Sequence, residues 1–122
     1  MNLPLFDTAQ IKQWHCYLVD LNPPRKSKPG KIRPALVLQA SDSLQLQMAG
    51  VMVAPLTTKL RAELFYRPRI YPRPGLQLLH SSEIIVDEIQ TVDRSFFIKD
   101  LGKLVQSEID QVSQVLRFHF GW

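Results

Sequence analysis

A chain of 122 residues is most simply one domain, residues 1–122, and it is long enough to bury a sizeable hydrophobic core. Its composition is that of a soluble globular protein; no apolar run approaches the ~20 residues of a membrane helix, and the N-terminus lacks a signal-peptide pattern. The single cysteine, Cys16, excludes an internal disulfide and favours a reducing cytoplasm, and no Cys/His cluster has zinc spacing, so we expect neither a metal nor a cofactor.

The net charge of +4 is distributed unevenly along the chain. Ten of the 15 Lys and Arg residues lie between Arg25 and Arg73, where only two acidic residues, Asp42 and Glu63, occur. Basic clusters of this kind favour a polyanionic partner, either nucleic acid or an acidic peptide. A solvated face that only promotes solubility is the alternative interpretation.

The first part of the chain predicts two strands around a basic loop. Residues 1–12 are predicted to be a loose arm or a short turn. A strand from about Gln13 to Leu21 is apolar on both faces, which indicates burial on both sides. The loop Asn22–Arg33 contains five basic residues, and its prolines and Gly30 exclude a regular helix. A second strand follows from Pro34 to Ala40.

The later elements are short and mostly extended. Four strands are predicted, at Ala49–Leu56, Leu64–Tyr71, Ser82–Ile89 and about Phe97–Leu104, and Pro68 makes the second of these an edge strand. The segments between them are predicted as a turn or short helix at Ser41–Gln47, a basic loop at Thr57–Ala62, a turn at Tyr71–Gly75, and a turn or single helical turn at Thr91–Phe97. Such connections predict a mainly β fold, with a curved antiparallel sheet or small barrel.

The C-terminal segment carries the clearest helical pattern. Ser107 is predicted as the N-cap, with Glu108 and Asp110 in the first turn. An apolar stripe at helical spacing follows, formed by Ile109, Val112, Val115 and Leu116. Three aromatic residues lie near or past the end of this helix, namely Phe118, Phe120 and Trp122.

Four motifs in order resemble the MazF/PemK toxins over about residues 13–117. The motifs are VDLNPP with RPALVLQ, VMVAPLTTKL, IIVDEIQTVDRS, and LGKL before a final helix. These toxins are ribosome-independent mRNA endonucleases of bacterial toxin–antitoxin pairs. The resemblance implies an SH3-like barrel of curved antiparallel strands with a C-terminal α-helix, a homodimer, and a cognate antitoxin whose acidic, disordered C-terminal segment covers the basic surface.

The resemblance also implies three catalytic residues: Arg33 from the RP-aliphatic motif, Thr57 from PLTT, and Asp87 from VDEIQT. Two positions depart from the family's usual D/E-Q-I-R-T wording, since Glu88 and Gln90 replace Gln and Arg. The arginine and the loop histidine of the PemK branch are also missing: Ile85 stands two residues before Asp87, and Asn22–Lys31 contains no histidine.

Metal-free cleavage of single-stranded RNA by the neighbouring 2′-OH requires a base, charge stabilisation and an acid, and it leaves 2′,3′-cyclic phosphate and 5′-OH ends. Arg33 suits charge stabilisation, because a guanidinium binds two phosphate oxygens at once. Thr57 can donate a hydrogen bond to a non-bridging oxygen, and Asp87 is the candidate base. The structural alternatives are a strand-end cap for Arg33, a turn residue for Thr57, and a partner of loop amides for Asp87.

Further residues are expected to contact the RNA. They are Asn22, Pro23, Arg25, Lys26, Lys28, Lys31, Thr58, Lys59, Arg61 and Gln90. Phe65 and Tyr66 could stack on bases, although packing in the core or a dimer interface is the stronger interpretation.

Three alternatives stay open from the sequence. A two-histidine acid–base pair would draw on His15, His80 and His119, but nothing in the sequence brings two of them together. A DNA gyrase poison is suggested by the C-terminal FHFGW, which is similar to the aromatic-Trp-Gly ending of the CcdB toxins. The third is a family member that binds its partner but no longer cleaves RNA, in keeping with Glu88 and Gln90.

Overall fold

A computed structural model describes residues 6–21, 31–61 and 64–122, which form one curled antiparallel sheet and a C-terminal helix. The strands are β1 (His15–Asp20), β2 (Ile32–Val37), β3 (Gly50–Thr57), β4 (Arg69–Ile70), β5 (Ser82–Ile84), β6 (Gln90–Asp93) and β7 (Phe97–Lys103). The helices are α1 (Ser41–Leu44) and α2 (Gln106–Phe120), with 3₁₀ turns at Thr8–Gln10 and Arg94–Phe96.

The sheet order is β4-β5-β3-β2-β1-β7, and every pairing is antiparallel. The edge of β3 that does not face β2 pairs with two strands: the first half of β3 pairs with β6, and its end pairs with β5. This arrangement curls the sheet into a half-barrel. The predicted fold class, mainly β with a C-terminal helix, is therefore confirmed.

Two apolar cores lie on opposite faces of the sheet. Alternate residues of β1 serve the two cores: Cys16 packs with the α2 residues Val112 and Val115, whereas Tyr17 and Val19 pack on the other face. The prediction that this strand is buried on both sides is confirmed. Burial raises the pKa of the Cys16 thiol to about 12, so the cysteine is a protonated core residue.

The helix α2 follows the predicted apolar stripe but begins differently. Its first residue is Gln106 and its N-cap is Val105, so the prediction of Ser107 as the cap is wrong. The Glu108 carboxylate accepts a hydrogen bond from the Val105 backbone N–H at 2.9 Å, and it also pairs with Arg73 at 2.8 Å. Glu108 thus supplies the N3 half of a capping box, which satisfies the amide of the N-cap residue, without a serine cap.

Two predicted strands are much shorter than expected. The segment Leu64–Tyr71 forms a strand only at Arg69–Ile70, because a turn closes upstream with a hydrogen bond from Arg67 N–H to the Leu64 carbonyl at 3.0 Å. The predicted strand Ser82–Ile89 ends at Ile84, since the chain must turn there to leave the end of β3 and return beside its first half.

The segment Thr91–Phe97, predicted as a turn, contains a strand as well. Its first residues complete β6, and the predicted single helical turn follows at Arg94–Phe96. The turn or short helix predicted at Ser41–Gln47 is confirmed by α1. In the segment expected to be an arm, Phe6 packs its ring against Tyr17 at a centroid distance of 5.5 Å.

Candidate active site

Arg33 is the second residue of β2, because this strand begins at Ile32, two residues before the predicted start at Pro34. It is paired with Val19 of β1, and the β1–β2 ladder is closed beside it by a hydrogen bond from Leu21 N–H to the Lys31 carbonyl at 3.0 Å. The Arg33 side chain is half-buried, and no carboxylate in the described part of the chain pairs with it. Its guanidinium is therefore available to an anionic ligand.

Thr57 ends the neighbouring strand β3. Ala35 of β2 pairs with Pro55 of β3, and continuing this register by two residues sets Arg33 across from Thr57. The Thr57 hydroxyl oxygen accepts a hydrogen bond from Lys59 N–H at 3.1 Å. Since this bond uses the oxygen as acceptor, the hydroxyl proton remains available for a ligand.

Both residues line one cleft of about 180 Å³. Its polar lining residues are Lys31, Arg33, Thr57, Thr58 and Ser82, and its apolar ones are Ile32, Pro34 and Leu56. Two cations and three hydroxyls therefore face a small space, and no carboxylate is among the lining residues. Such a lining favours an anion with several oxygens, as a phosphodiester has.

Ser82 is the lining residue that the sequence did not single out. It is buried at the start of β5, and its hydroxyl donates to the His80 carbonyl at 3.0 Å. The signal was the polar pair Ser82–Glu83 at the head of an otherwise apolar strand, but only the pairing of β5 with β3 brings this pair beside Thr57.

Glu83, directly opposite Thr57 in the sheet, is 1% exposed. Its Oε2 accepts hydrogen bonds from the Arg61 backbone N–H at 2.9 Å and from Arg69 Nη2 at 3.1 Å. The Arg69 guanidinium also donates to the Arg61 carbonyl at 2.7 Å. This ion pair, whose carboxylate is buried, therefore holds the Arg61 backbone four residues after Thr57.

Asp87 occupies the turn between β5 and β6 and is not among the residues that line the cleft. Its Oδ1 lies 3.6 Å from Arg67 Nε, and the neighbouring Glu88 places Oε2 3.8 Å from Arg67 Nη2. The structure thus brings Arg33 and Thr57 together and pairs Asp87 with an arginine that had no assigned role.

The predicted RNA-contacting residues fall into four groups. Lys31 and Thr58 line the cleft. Lys59 and Arg61 are exposed on the loop after Thr57, whereas Gln90 is half-buried in β6 opposite Val53. The other five lie outside the described residues, namely Asn22, Pro23, Arg25, Lys26 and Lys28.

The histidines are distributed over separate regions. His15 Nδ1 lies 3.1 Å from both carboxylate oxygens of Asp100, and His119 contacts Tyr66 at a ring-centroid distance of 6.4 Å. His80 is exposed before β5. None of the three is among the residues that line the Arg33–Thr57 cleft.

The C-terminal FHFGW has a local structural explanation. Gly121 adopts a left-handed backbone with φ of 71° and ends α2, where its N–H donates to the Arg117 carbonyl. Trp122 then folds back and stacks on Phe120 at a centroid distance of 4.8 Å. A glycine is expected at this position whether or not the segment binds a partner.

Comparison with known proteins places the chain in a family. Residues 12–120 match the model of the PemK-like, MazF-like toxins of type II toxin–antitoxin systems. The chain is 31% identical over 97 residues to the probable endoribonuclease MazF of Mycolicibacterium smegmatis, an alignment that covers 80% of this chain and 87% of that protein.

Solved structures of this family share the fold. The Mycobacterium tuberculosis toxin MazF-mt6 superimposes with a TM-score of 0.71 at 21% identity, covering 88% of this chain and 96% of that one. An endoribonuclease from a mycobacterial species, solved in complex with its cognate antitoxin, gives a TM-score of 0.71 at 18% identity, covering 91% and 95%.

The chain belongs to the PemK-like, MazF-like toxins of type II toxin–antitoxin systems. The family recognised from the sequence and the enzyme class expected for it, endoribonuclease, are confirmed. In the described part of the chain, no helix is long and apolar enough to cross a membrane.

Proposed function

We propose that this toxin cleaves single-stranded mRNA at specific sequences without a metal ion, leaving 2′,3′-cyclic phosphate and 5′-OH ends. The observation that carries the proposal is the cleft in which Arg33 and Thr57 face each other across neighbouring strands. Arg33 binds two oxygens of the phosphorane, and Thr57 donates a hydrogen bond to a third. The 2′-OH gives its proton to the base as it attacks phosphorus, and the departing 5′-oxygen takes a proton from water. Lys31 and Thr58 bind the RNA backbone beside the scissile phosphate. Lys59, Arg61, Gln90 and the basic loop Asn22–Arg33 extend the RNA-contacting surface.

The proposal is tested by incubating the purified protein in EDTA with a single-stranded RNA and with the same sequence as a duplex. We expect cleavage of the single strand only, because the bases of a duplex are unavailable to loop contacts. Intact RNA together with inhibition of DNA gyrase would instead support a CcdB-like poison. Binding of RNA without cleavage would indicate a member that has lost its activity.

Asp87 is the proposed base, and its ion pair with Arg67 defines how it would act. A phosphate that binds Arg67 would compete for the guanidinium and release the Asp87 carboxylate toward the 2′-OH. The Arg67 Nε–H is free to donate to such a phosphate, because Asp87 Oδ1 lies 3.6 Å away and no acceptor among the described residues forms a hydrogen bond with this Nε–H.

Asp87→Asn should lower the cleavage rate by about a hundredfold or more, since a general base contributes about 10²–10⁴. Glu88→Gln is the matched control, because Glu88 faces the same arginine and loses the same charge. We expect only a small change for it in single-turnover assays. Equal, small effects of both substitutions would assign the proton transfer to water.

We further propose that the toxin is a homodimer inhibited by an antitoxin with an acidic, disordered segment. An aromatic patch supports the dimer: Phe65 and Phe118 meet edge-to-face at 4.9 Å, yet 62% and 63% of their surfaces are exposed. Exposed apolar clusters of this kind mark protein interfaces. The cationic cleft supports the antitoxin, because an acidic peptide would occupy the same charges as RNA.

Phe118→Asp should convert a dimer to a monomer in sedimentation velocity, because a carboxylate cannot be buried unpaired at the interface. Leu46→Asp is the control, since Leu46 is also exposed but lies beyond α1, away from the aromatic patch. A wild-type protein that sediments as a monomer, or a Phe118→Asp variant that stays dimeric, would contradict this interface.

A further inference from the structure

A second polar cleft, of about 470 Å³, opens at the edge of the sheet where β7 runs beside the turn that contains Gly75. It is lined by Lys12, His15, Asp100 and Lys103 together with Gln77 and the backbone of Gly102. This cleft is not part of the Arg33–Thr57 site, and no role in the proposed cleavage has been assigned to it.

His15 is held in one orientation within this cleft. Its Nδ1 lies 3.1 Å from both oxygens of Asp100, and Asp100 Oδ1 is itself fixed by the Gly102 N–H at 2.9 Å. When both ring nitrogens carry a proton, Nδ1–H donates to the carboxylate and Nε2–H can donate to an anionic ligand. Among the described residues, Nε2 has no hydrogen-bond partner.

The charges of the cleft favour an anion. Lys12 and Lys103 are exposed on either side of the His15–Asp100 pair, and within the described segments neither ammonium forms an ion pair. The single carboxylate, Asp100, is satisfied by His15 and Gly102. Among the residues that line the cleft, two lysines therefore outnumber one carboxylate, and the resulting field is attractive to phosphate.

A third cleft, of about 340 Å³, connects this site with the candidate active site. It shares Pro34, Thr58 and Ser82 with the Arg33–Thr57 cleft, and it shares Gln77 and Leu101 with the His15 cleft. Four of its eleven lining residues are leucines, and Lys99 and His80 are among the others. The three clefts therefore adjoin one another through shared lining residues, and we call this succession of clefts the track.

We propose that RNA bound in the active cleft continues along this track and that Lys12, His15 and Lys103 hold one of its backbone phosphates. The proposal rests on the RNA cleavage proposed above. Arg33 pairs with Val19, and His15 lies four residues earlier in β1, so the two sites are separated by about 13 Å along the strand. The second site therefore binds a phosphate a few nucleotides from the scissile bond and takes no part in the chemistry.

The test is the salt dependence of binding, measured by fluorescence anisotropy with uncleavable 2′-O-methyl RNA of random sequence in a short and a long form. In the variant Lys12→Ala/Lys103→Ala, we expect the slope of log K against log [salt] for the long RNA to fall by about 0.7, because the two lysines hold the same phosphate of a single strand. The deficit grows with RNA length, because only longer RNA reaches the second cleft. Arg117→Ala, which removes an exposed charge on α2, should leave the slope unchanged.

The outcomes separate this proposal from the function on which it rests. A wild-type protein that cleaves RNA, with a double variant whose slope is unchanged, would overturn the track and leave the proposed function standing. A double variant that loses affinity for an acidic peptide but not for RNA would also overturn the track, in favour of a protein-binding cleft. A wild-type protein that neither binds nor cleaves RNA would overturn both.

Discussion

Arg33→Ala should lower the single-turnover rate of RNA cleavage by about 10³-fold or more while the protein stays folded. Removal of one donor to a developing oxyanion typically costs about 10²–10³, and Arg33 provides a bidentate, charged donor. Stability should change little, since the side chain is half-buried and pairs with no carboxylate in the described segments. The loss should appear in kcat more than in KM, because the contact strengthens as charge develops.

Two further variants locate this effect in the cleft. Thr57→Val removes the hydroxyl at nearly constant volume, so it should lower the cleavage rate by about 10²-fold. Loss of the exposed hydrogen bond from Lys59 N–H should lower the free energy of unfolding by no more than about 1 kcal/mol. Arg33→Lys should be intermediate, because an ammonium keeps the charge but cannot bind two oxygens in a fixed fork. Activity of Arg33→Ala within a few-fold of wild type would place the chemistry elsewhere.

Arg94→Ala should lower the free energy of unfolding by about 4 kcal/mol, a large share of the ~5–15 kcal/mol typical of a domain. The buried guanidinium donates to the carbonyls of Thr8 at 2.7 Å, Met48 at 2.7 Å and Leu44 at 3.0 Å. These three carbonyls belong to the N-terminal turn, the segment before β3, and α1. In the alanine variant, these carbonyls lose their charged hydrogen-bond donor and are left without a partner in the protein interior.

Urea unfolding followed by circular dichroism measures this effect. Arg94→Lys should recover only part of the stability, since one ammonium cannot reach three carbonyls that lie in different directions. Arg117→Ala is the exposed control and should lie within ~0.5 kcal/mol of wild type. A loss below ~1 kcal/mol for Arg94→Ala would show that water replaces the guanidinium.

The part of the site that local sequence determines was predictable. Arg33 and Thr57 stand at the ends of two strands whose apolar patterns are strong, so the antiparallel pairing of those strands brings the residues together. The C-terminal helix was also predictable, because apolar residues at helical spacing, such as Val112 and Val115, indicate which face of a helix is buried.

Contacts between distant segments were not predictable. Asp87 is paired with Arg67 because the turn after β5 approaches the segment before β4, and no local pattern specifies that approach. Aromatic or aliphatic residues alternate with arginine in Leu64–Tyr71, a pattern that predicts a strand. In the structure Phe65 lies outside the strand and packs against Phe118. Most charged side chains in proteins are exposed, so the burial of Glu83 and Arg94 could not be predicted from their residue types.

The most direct test of the central claim is the identity of the new RNA ends, determined by mass spectrometry after cleavage in EDTA. Attack by the neighbouring 2′-OH, stabilised by Arg33 and Thr57, predicts 2′,3′-cyclic phosphate and 5′-OH ends, and it predicts that one 2′-deoxy substitution at the cleaved position abolishes cleavage there. New 5′-phosphate and 3′-OH ends, or unchanged cleavage of the 2′-deoxy RNA, would contradict the account.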